Sequence, residues 1–522
     1  MKKNLALIII FLAAISIIPA ANGQNSDKAK ENSNGIRPVQ IEVADEAAIV
    51  IGGIRITIAD AIKTAIEKNH DILSGKYDVA MTDSNYRKYQ TKYSVFLNAE
   101  AGINRTKYPD LLASSPDYPE TSTTYDFSAA IMKMFSTGTT LTAGVKNNIS
   151  DSDDALYGNS KTYNPVLFAS IEQELLQNSF GYNERREEQI LKDSAEMQKR
   201  AIIYQLSLVV VNVIVEYWNV IVNKTQLDNA QLMLQETRKV RRIVSDNVRL
   251  GLAEQFELNL WNSLVASAEA ELAQAEQRYN DSLRAFLRTV DMKGEISVEG
   301  RAILSNRLPE INTEEAIKIA YAKRADYLNA VKRLEIAEMQ LDLYENNALP
   351  SIKGSLTIST MDVNSEADTA YGNTTAMKYP TYEARVKMTY PLDNQEQEVN
   401  ERNARWQMEQ ARQDIKKYER IVSDDVTSKI ENINTTYKLY IKAKEAREQA
   451  EIYYSRMSAN LRRGRFTASM VREALDALIM SREGELKALV YFNVSLLQFE
   501  VAKNQLFETY KIDVEKYIPK DN

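Results

Sequence analysis

The sequence predicts an α+β membrane protein in which one helix–strand–helix plan occurs twice along the chain. Two ungapped internal alignments cover both halves, and internal repeats of this kind decide how a long chain is organised. In each half the hydrophobic period changes from that of a helix to that of a strand and back again. The helical segments after the strands are far longer than those of a globular domain, which indicates helices that pack along one another.

The two alignments define the repeats. One pairs the segment that begins at Ile56 with the segment that begins at Ile311, at an offset of 255 residues. The other pairs Asn247–Gly251 with Asn460–Gly464, at an offset of 213 residues, so the first copy is longer in its middle. We predict repeat 1 at residues 50–300, repeat 2 at residues 301–508 and a C-terminal tail at residues 509–522.

The N-terminus has the three-part layout of a secretory signal peptide. Two lysines precede an apolar run, Leu5–Ile18, and small residues follow it up to Gly23. We predict a signal peptide at residues 1–23 and, because the next segment is polar and aperiodic, a linker at residues 24–49. The chain has no cysteine, so no residue is present for lipid attachment at the cleavage point.

Composition excludes several classes of function. The net charge of −7 and the pI near 5.4 argue against a nucleic-acid partner, which needs a basic surface. With no cysteine and His70 as the single histidine, a disulfide framework, a thiolate metal site and a catalytic thiol are excluded. We find no phosphate-binding loop, nucleophile elbow or paired catalytic carboxylates, and we predict a non-enzyme without cofactor or metal.

Each repeat begins with a predicted helix that runs into strands. Capping-box patterns at Thr57 and Asn312 predict helices that run to about Tyr93 and to about Asn347. A helix start of this kind needs a side-chain acceptor for the first free N–H groups, which Thr and Asn both supply.

The strands are predicted at about 97–175 in repeat 1 and about 352–390 in repeat 2. Over Tyr382–Tyr390 apolar residues alternate with charged ones, which gives the strand one apolar and one charged face. A soluble sandwich also uses this pattern, but aromatic residues near the strand ends favour a membrane barrel. An extra predicted hairpin, Phe127–Phe135 and Thr139–Val145, gives repeat 1 four strands against two in repeat 2. We predict external loops at Pro109–Thr124, Ser150–Tyr163 and Met361–Thr381.

Very long helices follow the strands, at about Gln177–Asp246 and about Asn394–Leu461. A straight helix of about 70 residues would extend roughly 100 Å and needs partner helices. After the first long helix, Trp261, Ala268, Ala275 and Ser282 recur every seven residues, as in a coiled-coil seam. Glu485 interrupts the equivalent stripe of repeat 2. The apolar run Leu206–Val222 is shorter than the ~20 residues of a bilayer span, and we predict a buried helix.

This arrangement resembles the TolC-like outer membrane factors, the family of outer membrane efflux proteins, over about Val50 to Phe507. Its more specific marks are a helix-to-strand entry at Ala348–Ile352, a strand-to-helix exit at Tyr390–Leu392 and a helix tip at Asn460–Gly464. Repeat 1 departs from the pattern, with Val95 and Glu174 where the prolines of the entry and the exit would fall.

The resemblance implies a homotrimer that shares one β-barrel in the outer membrane and one α-helical coiled-coil barrel in the periplasm. It implies a passive duct for efflux or type I secretion, which a periplasmic adaptor (membrane fusion) protein couples to an inner-membrane pump. The predicted strands support an oligomer without reference to the family. Two or four strands cannot close a barrel, so the chain must oligomerise in the outer membrane lipid. Four strands per chain, as in the family, would give twelve in the trimer, and six would give eighteen.

The resemblance also suggests pore residues. In the family, acidic residues six and nine positions after the tip glycine narrow the periplasmic aperture and favour cations. Counted from Gly251 and Gly464, one acid of each pair is kept, Glu257 in repeat 1 and Glu473 in repeat 2. The hypothesis is that both, tripled by symmetry, form a carboxylate ring, where like charges strengthen the local negative potential. The alternative is a solvated face of the coiled coil.

The turns at the two tip glycines are candidates for docking the adaptor. Basic residues flank both turns and could supply polar contacts, while a helix that ends in glycine after basic residues is also ordinary capping. The candidate docking residues are Arg249, Gly251, Arg462, Arg463, Gly464 and Arg465.

Two other functions compete with the duct. A periplasmic adaptor also joins long helices to strands, but one helical hairpin flanked by small β-domains would be expected, whereas here strands interrupt the helices twice. A structural coiled-coil protein of the cell envelope would not need strands with aromatic girdles.

Overall fold

The computed structural model describes residues 48–51, 54–109, 121–154, 158–294, 296–299, 304–461, 466–513 and 516. The predicted signal peptide and nearly all of the predicted linker lie outside these residues. The chain divides into two compact units. Of the described residues, those within 83–195 and 333–411 form the first unit, and those within 36–82, 196–332 and 412–522 form the second.

Strands and long helices alternate along the chain. The strands are β1 (Ala48–Ile51), β2 (Ile54–Ile56), β3 (Val95–Lys107), β4 (Thr121–Met134), β5 (Thr139–Asp154), β6 (Gly158–Glu174), β7 (Ile296–Glu299), β8 (Ser351–Met361) and β9 (Pro380–Thr389). The α-helices are α1 (Ile58–Lys68), α2 (His70–Met81), α3 (Ser84–Gln90), α4 (Tyr182–Arg249), α5 (Gln255–Val290), α6 (Thr313–Lys323), α7 (Ala325–Asn347), α8 (Ala367–Thr375), α9 (Gln395–Leu461), α10 (Ala468–Ala502) and α11 (Leu506–Thr509).

The first unit contains one antiparallel sheet of six strands, in the order β3-β4-β5-β6-β8-β9. Both extra strands of the predicted hairpin belong to it, as β4 and β5. Gly138 makes their tight turn possible, because it adopts φ +71° and donates its N–H to the Phe135 carbonyl at 2.9 Å. Four strands of this sheet therefore precede the long helix α4 and two follow it.

All three predicted loops are wrong in part. Strands β5 and β6 run through most of Ser150–Tyr163 and pair up to Asp154 opposite Gly158. Both faces of these strand ends are polar, so the alternation that marks a strand is not visible there. The segment Met361–Thr381 contains the helix α8, which buries Ala370 and Thr374 against β6 and β8. The segment Pro109–Thr124 becomes β4 from Thr121 onward, and its residues 110–120 lie outside the described part.

The predicted helices at the start of each repeat are interrupted. Thr57 does form the capping box with Asp60, but Asn69 then adopts an extended backbone and starts α2 by accepting from Asp71 and Ile72. Arg324 has the same extended backbone between α6 and α7. Periodicity alone does not reveal such breaks, because the hydrophobic pattern continues across them.

The long helices are confirmed. Helix α4 has 68 residues and α9 has 67 residues, with ends within a few residues of those predicted. Among the described residues, one helix, Ser179–Arg249, is long and apolar enough to cross a membrane. Its apolar run nevertheless lies in the core of the second unit, where Val213, Ile214 and Val220 are fully buried, as the sequence predicts.

The coiled-coil seam of α5 is also confirmed. Trp261, Ala268, Ala275 and Ser282 are all buried. In α10 the interrupting residue, Glu485, accepts a 2.8 Å bond from Arg447 of α9, so the charge is paired across the two helices. A small sheet of the second unit, in the order β2-β1-β7, was not predicted.

Candidate functional site

The six-stranded sheet presents one apolar and one polar face. Residues directly opposite each other on neighbouring strands share a face, and successive residues alternate between faces. One such row crosses the whole sheet through Val95, Lys133, Leu141, Ile171, Leu356 and Ala384. Except for Lys133 of β4, this row consists of aliphatic side chains, so the register assigns an apolar face to the sheet.

We define the apolar face by the aliphatic and aromatic residues that the register places with this row. They include Val95, Leu97, Ala99, Ala101, Ile103, Phe127, Ala129, Ile131, Leu141, Ala143, Val145, Leu167, Ala169, Ile171, Ile352, Leu356, Ile358, Ala384, Val386 and Met388. Many are exposed, including Leu97 at 71% and Val386 at 72%. Exposed apolar surface of this extent is typical of a site that meets a membrane or another protein.

The polar face consists of the intervening residues. They include Asn98, Glu100, Asp126, Ser128, Thr142, Lys146, Asn148, Ser170, Glu172, Lys353, Thr357, Glu383, Arg385 and Lys387. Neighbouring strands hydrogen-bond across it, since Asn148 donates to Asp126 at 2.7 Å and Lys353 lies 3.0 Å from Glu174. A face with charges of both signs suits contact with water.

Aromatic residues lie at the end of the apolar face where β4 and β9 begin. Tyr125 and Tyr382 share this face and are 46% and 75% exposed, and Tyr379 precedes β9. The alternation predicted for β9 therefore extends over all six strands. This arrangement can place one face of the sheet in lipid and the other in water.

The second candidate site is the end of α4, in the second unit. Gly251 ends the helix with φ +71°, and its N–H donates to the Val248 carbonyl at 3.0 Å, while Leu252 N–H donates to Asn247 at 2.8 Å. Glycine adopts this left-handed backbone most readily, and Gly251 serves as a helix cap. Arg249 is exposed and forms an ion pair with Asp246. The corresponding candidates Arg462, Arg463, Gly464 and Arg465 lie outside the described residues.

Glu257 and Glu473 lie near the starts of α5 and α10. Glu257 is half-buried in the first turn of α5, and Glu473 is exposed. Trp261 and Val471, close to them in sequence, share one buried cluster, so the structure brings these two helix starts together. Nearby, burial and the carboxylate of Glu236 raise the pKa of Tyr454 to about 12, so its hydroxyl stays protonated and donates to Glu236 at 2.8 Å.

Sequence reasoning missed an apolar patch at the same helix end. Leu250, Leu252 and Phe256 surround Gly251 and are each exposed by two thirds or more. Exposed leucines on both sides of a tip glycine are the signal that could have revealed it. We call these three residues the tip patch.

Comparisons with known proteins identify the fold. No protein-family model and no curated protein sequence matches the chain. Among solved structures, CusC, described in terms of transmembrane channel formation, has a TM-score of 0.64 at 15% identity, over 87% of this chain and 91% of that chain. The open MtrE outer membrane channel of Neisseria gonorrhoeae has a TM-score of 0.63 at 14% identity, over 91% and 95%.

The CmeC outer membrane channel of Campylobacter jejuni has a TM-score of 0.62 at 12% identity, over 88% of both chains. The likeness therefore extends over nearly the whole described chain and nearly the whole of each channel. It confirms, at the level of the fold, the resemblance drawn from the sequence. The chain has the fold of the TolC-like outer membrane factors.

Proposed function

We propose that the protein is the outer-membrane channel of a tripartite efflux or type I secretion system, a passive duct that extends into the periplasm. The observation that carries the proposal is one chain that joins a six-stranded sheet with an exposed apolar face to helices of 68 and 67 residues. The sheet suits a bilayer, and straight helices of this length reach about 100 Å. The fold shared with outer membrane channels supports the same function.

Three chains close the barrel in this proposal. Among the described residues, the six-stranded sheet has two open edges and fewer than the about eight strands of the smallest barrels. Unpaired backbone groups at these edges are costly in hydrocarbon, so neighbouring chains have to satisfy them. Outer membrane lipid then contacts the apolar face, and the polar face lines the lumen.

The chain consists of two repeats in this proposal, at residues 50–300 and 301–508. The helix breaks at Asn69 and Arg324 support it, because they are 255 residues apart, the offset of the sequence alignment. Each break precedes strands, then a helix of nearly 70 residues, then a helix of about 35 residues. The added hairpin of β4 and β5 accounts for the greater length of the first copy.

The periplasmic adaptor docks at the helix ends, and through it the inner-membrane pump drives transport. The exposed tip patch supports docking there, since apolar side chains gain from being covered by a partner. Arg249 contributes polar contacts at its rim. Cross-linking from Leu252 in cells should capture a periplasmic partner, and capture of none in an actively exporting strain would contradict this docking site.

Glu257 and Glu473 form the carboxylate ring of the aperture in this proposal. Their positions near two helix starts that share one buried cluster support it. Three copies of each would concentrate six acidic groups at one level of the pore, which favours cations.

Cell fractionation tests the proposed function. The full chain is expected in the outer membrane as a trimer that dissociates only on heating. A urea-soluble periplasmic species would reject the duct and would favour an adaptor or a structural coiled-coil protein of the envelope.

A further inference from the structure

Within the described part of the chain, the edge strands of the six-stranded sheet, β3 and β9, have no neighbour on their outer sides. All residues of β9 and all but one residue of β3 are exposed. A long exposed edge strand with apolar side chains is an aggregation site unless another strand pairs with it. In a lipid bilayer the unpaired backbone groups add a further cost.

We propose that β3 of one copy pairs with β9 of a second copy with Glu100 opposite Arg385, so that three copies close an eighteen-stranded barrel. The inference rests on the proposed trimeric duct. It adds the number of strands and the residues of the seam between copies.

The stagger of the strands within the sheet sets this register. The row of paired residues that starts at Val95 of β3 ends at Ala384, five residues before Thr389, the last residue of β9. The strand ends thus advance by five residues over the five junctions, an average of one residue per junction. Repeating the step at the sixth junction places Val95 opposite Tyr390 of the second copy. A step of one residue per strand tilts the strands by about 35°, as in known barrels.

The side chains match at this register. On the apolar face the opposite pairs are Leu97 with Met388, Ala99 with Val386, Ala101 with Ala384, and Ile103 with Tyr382. On the polar face Glu100 meets Arg385, and opposite charges across a strand pair are favourable. The next register in one direction would place Glu100 opposite Glu383. The next register in the other direction would place Val95 opposite Leu392. Pro391, which has no N–H to donate, would then lie within the strand pair.

The inferred barrel is wider than a twelve-stranded one. At this tilt and strand spacing, eighteen strands give a backbone diameter of about 34 Å, against about 23 Å for twelve. Barrels of 16–18 strands enclose aqueous channels. The two strands β4 and β5, which enlarge the sheet, thus widen the membrane section of the duct.

Cysteine pairs test the seam, because the natural chain has no cysteine. In outer membranes, oxidation of the full chain carrying Ala101→Cys and Ala384→Cys is expected to give covalent dimers and trimers on denaturing gels. The matched control, Ala99→Cys with Ala384→Cys, lies two residues out of register. Opposite Cβ atoms lie about 5 Å apart and diagonal ones about 7–8 Å, so the control should link at least about tenfold less.

Charge exchange gives a second measurement. Glu100→Arg and Arg385→Glu are each expected to lower the temperature at which the trimer dissociates, and the double exchange is expected to restore it. Stronger linkage of the control pair would overturn the register. A native trimer that links through neither pair, or that the double exchange does not restore, would overturn the edge pairing. Absence of any outer-membrane trimer would instead reject the duct itself.

Discussion

The guanidinium of Arg324 lies 2.6 Å from Asp425 and also binds Asp326 at 2.7 Å, so one nearly buried cation joins the break between α6 and α7 to the long helix α9. It approaches the Ala502 carbonyl of α10 at 3.4 Å as well. Arg324 is itself the extended residue at the break. The Arg324 side chain therefore connects α7, α9 and α10 at the point where α6 ends.

Replacing this arginine should destabilise the protein. Arg324→Ala is expected to lower the free energy of unfolding by about 2 kcal/mol, because it removes a nearly buried cation from two carboxylates that are themselves only partly exposed. The measurement is denaturant unfolding of the purified protein in detergent. Arg278→Ala is the matched control, since its ion pair with Glu271 is exposed and should contribute less than about 1 kcal/mol. Equal losses in both variants would contradict the role of Arg324.

The same cluster should make stability sensitive to acid. Burial alone would raise the pKa of Asp326, but the hydrogen bond and charge of Arg324 outweigh it and hold this pKa below its usual value. A folded pKa below the unfolded one gives a contribution that is complete above pH about 4 and is lost as pH falls further. The stability difference between the natural protein and Arg324→Ala should therefore shrink below pH about 4 in thermal unfolding. A difference that stays constant down to pH about 2 would be inconsistent with this pairing.

The two faces of the sheet should respond differently to the same charge. Ala129→Arg places a charge on the apolar face and is expected to reduce stability in lipid by about 2–4 kcal/mol. Ser128→Arg, its neighbour on the polar face, should assemble normally and shift ion selectivity towards anions. Folding yield into lipid vesicles and reversal potentials measure the two effects. Comparable folding of both variants would argue against a lipid-facing side.

The proposed aperture predicts a loss of cation selectivity. Glu257→Gln combined with Glu473→Gln removes six carboxylates from a trimer and should bring the ratio of cation to anion permeability closer to one. Glu276→Gln, an exposed glutamate further along α5, is the control and should leave this ratio unchanged. Reversal potentials in a salt gradient give the ratio. Unaltered selectivity in the double variant would reject the ring.

Regular repetition made much of the fold predictable from the sequence. The ends of α4 and α9 and the buried stripe of Trp261, Ala268 and Ala275 follow from helical periods that continue over many turns. The small sheet could not be predicted, because β1 and β7 are four residues each and lie far apart in sequence. The helix α8 has a weakly helical, polar sequence, and its burial against β6 and β8 explains it.

The apolar face of the sheet was predictable from the sequence only where a single strand shows alternating apolar and polar residues. The alternation in β9 reveals an apolar face, but the order of six strands depends on partners that no local pattern specifies. The tip patch was missed for a related reason. Leu252 and Phe256 look like core residues in sequence, and only the structure shows that nothing within the described chain covers them.

Conductance of the purified chain in a planar lipid bilayer is the sharpest test of the export duct. A trimeric duct should give discrete, long-lived conductance steps, with cation selectivity that Glu257→Gln and Glu473→Gln diminish. A trimer that inserts but conducts no ions under any applied voltage or salt, with the helix ends removed as well as intact, would contradict an export duct.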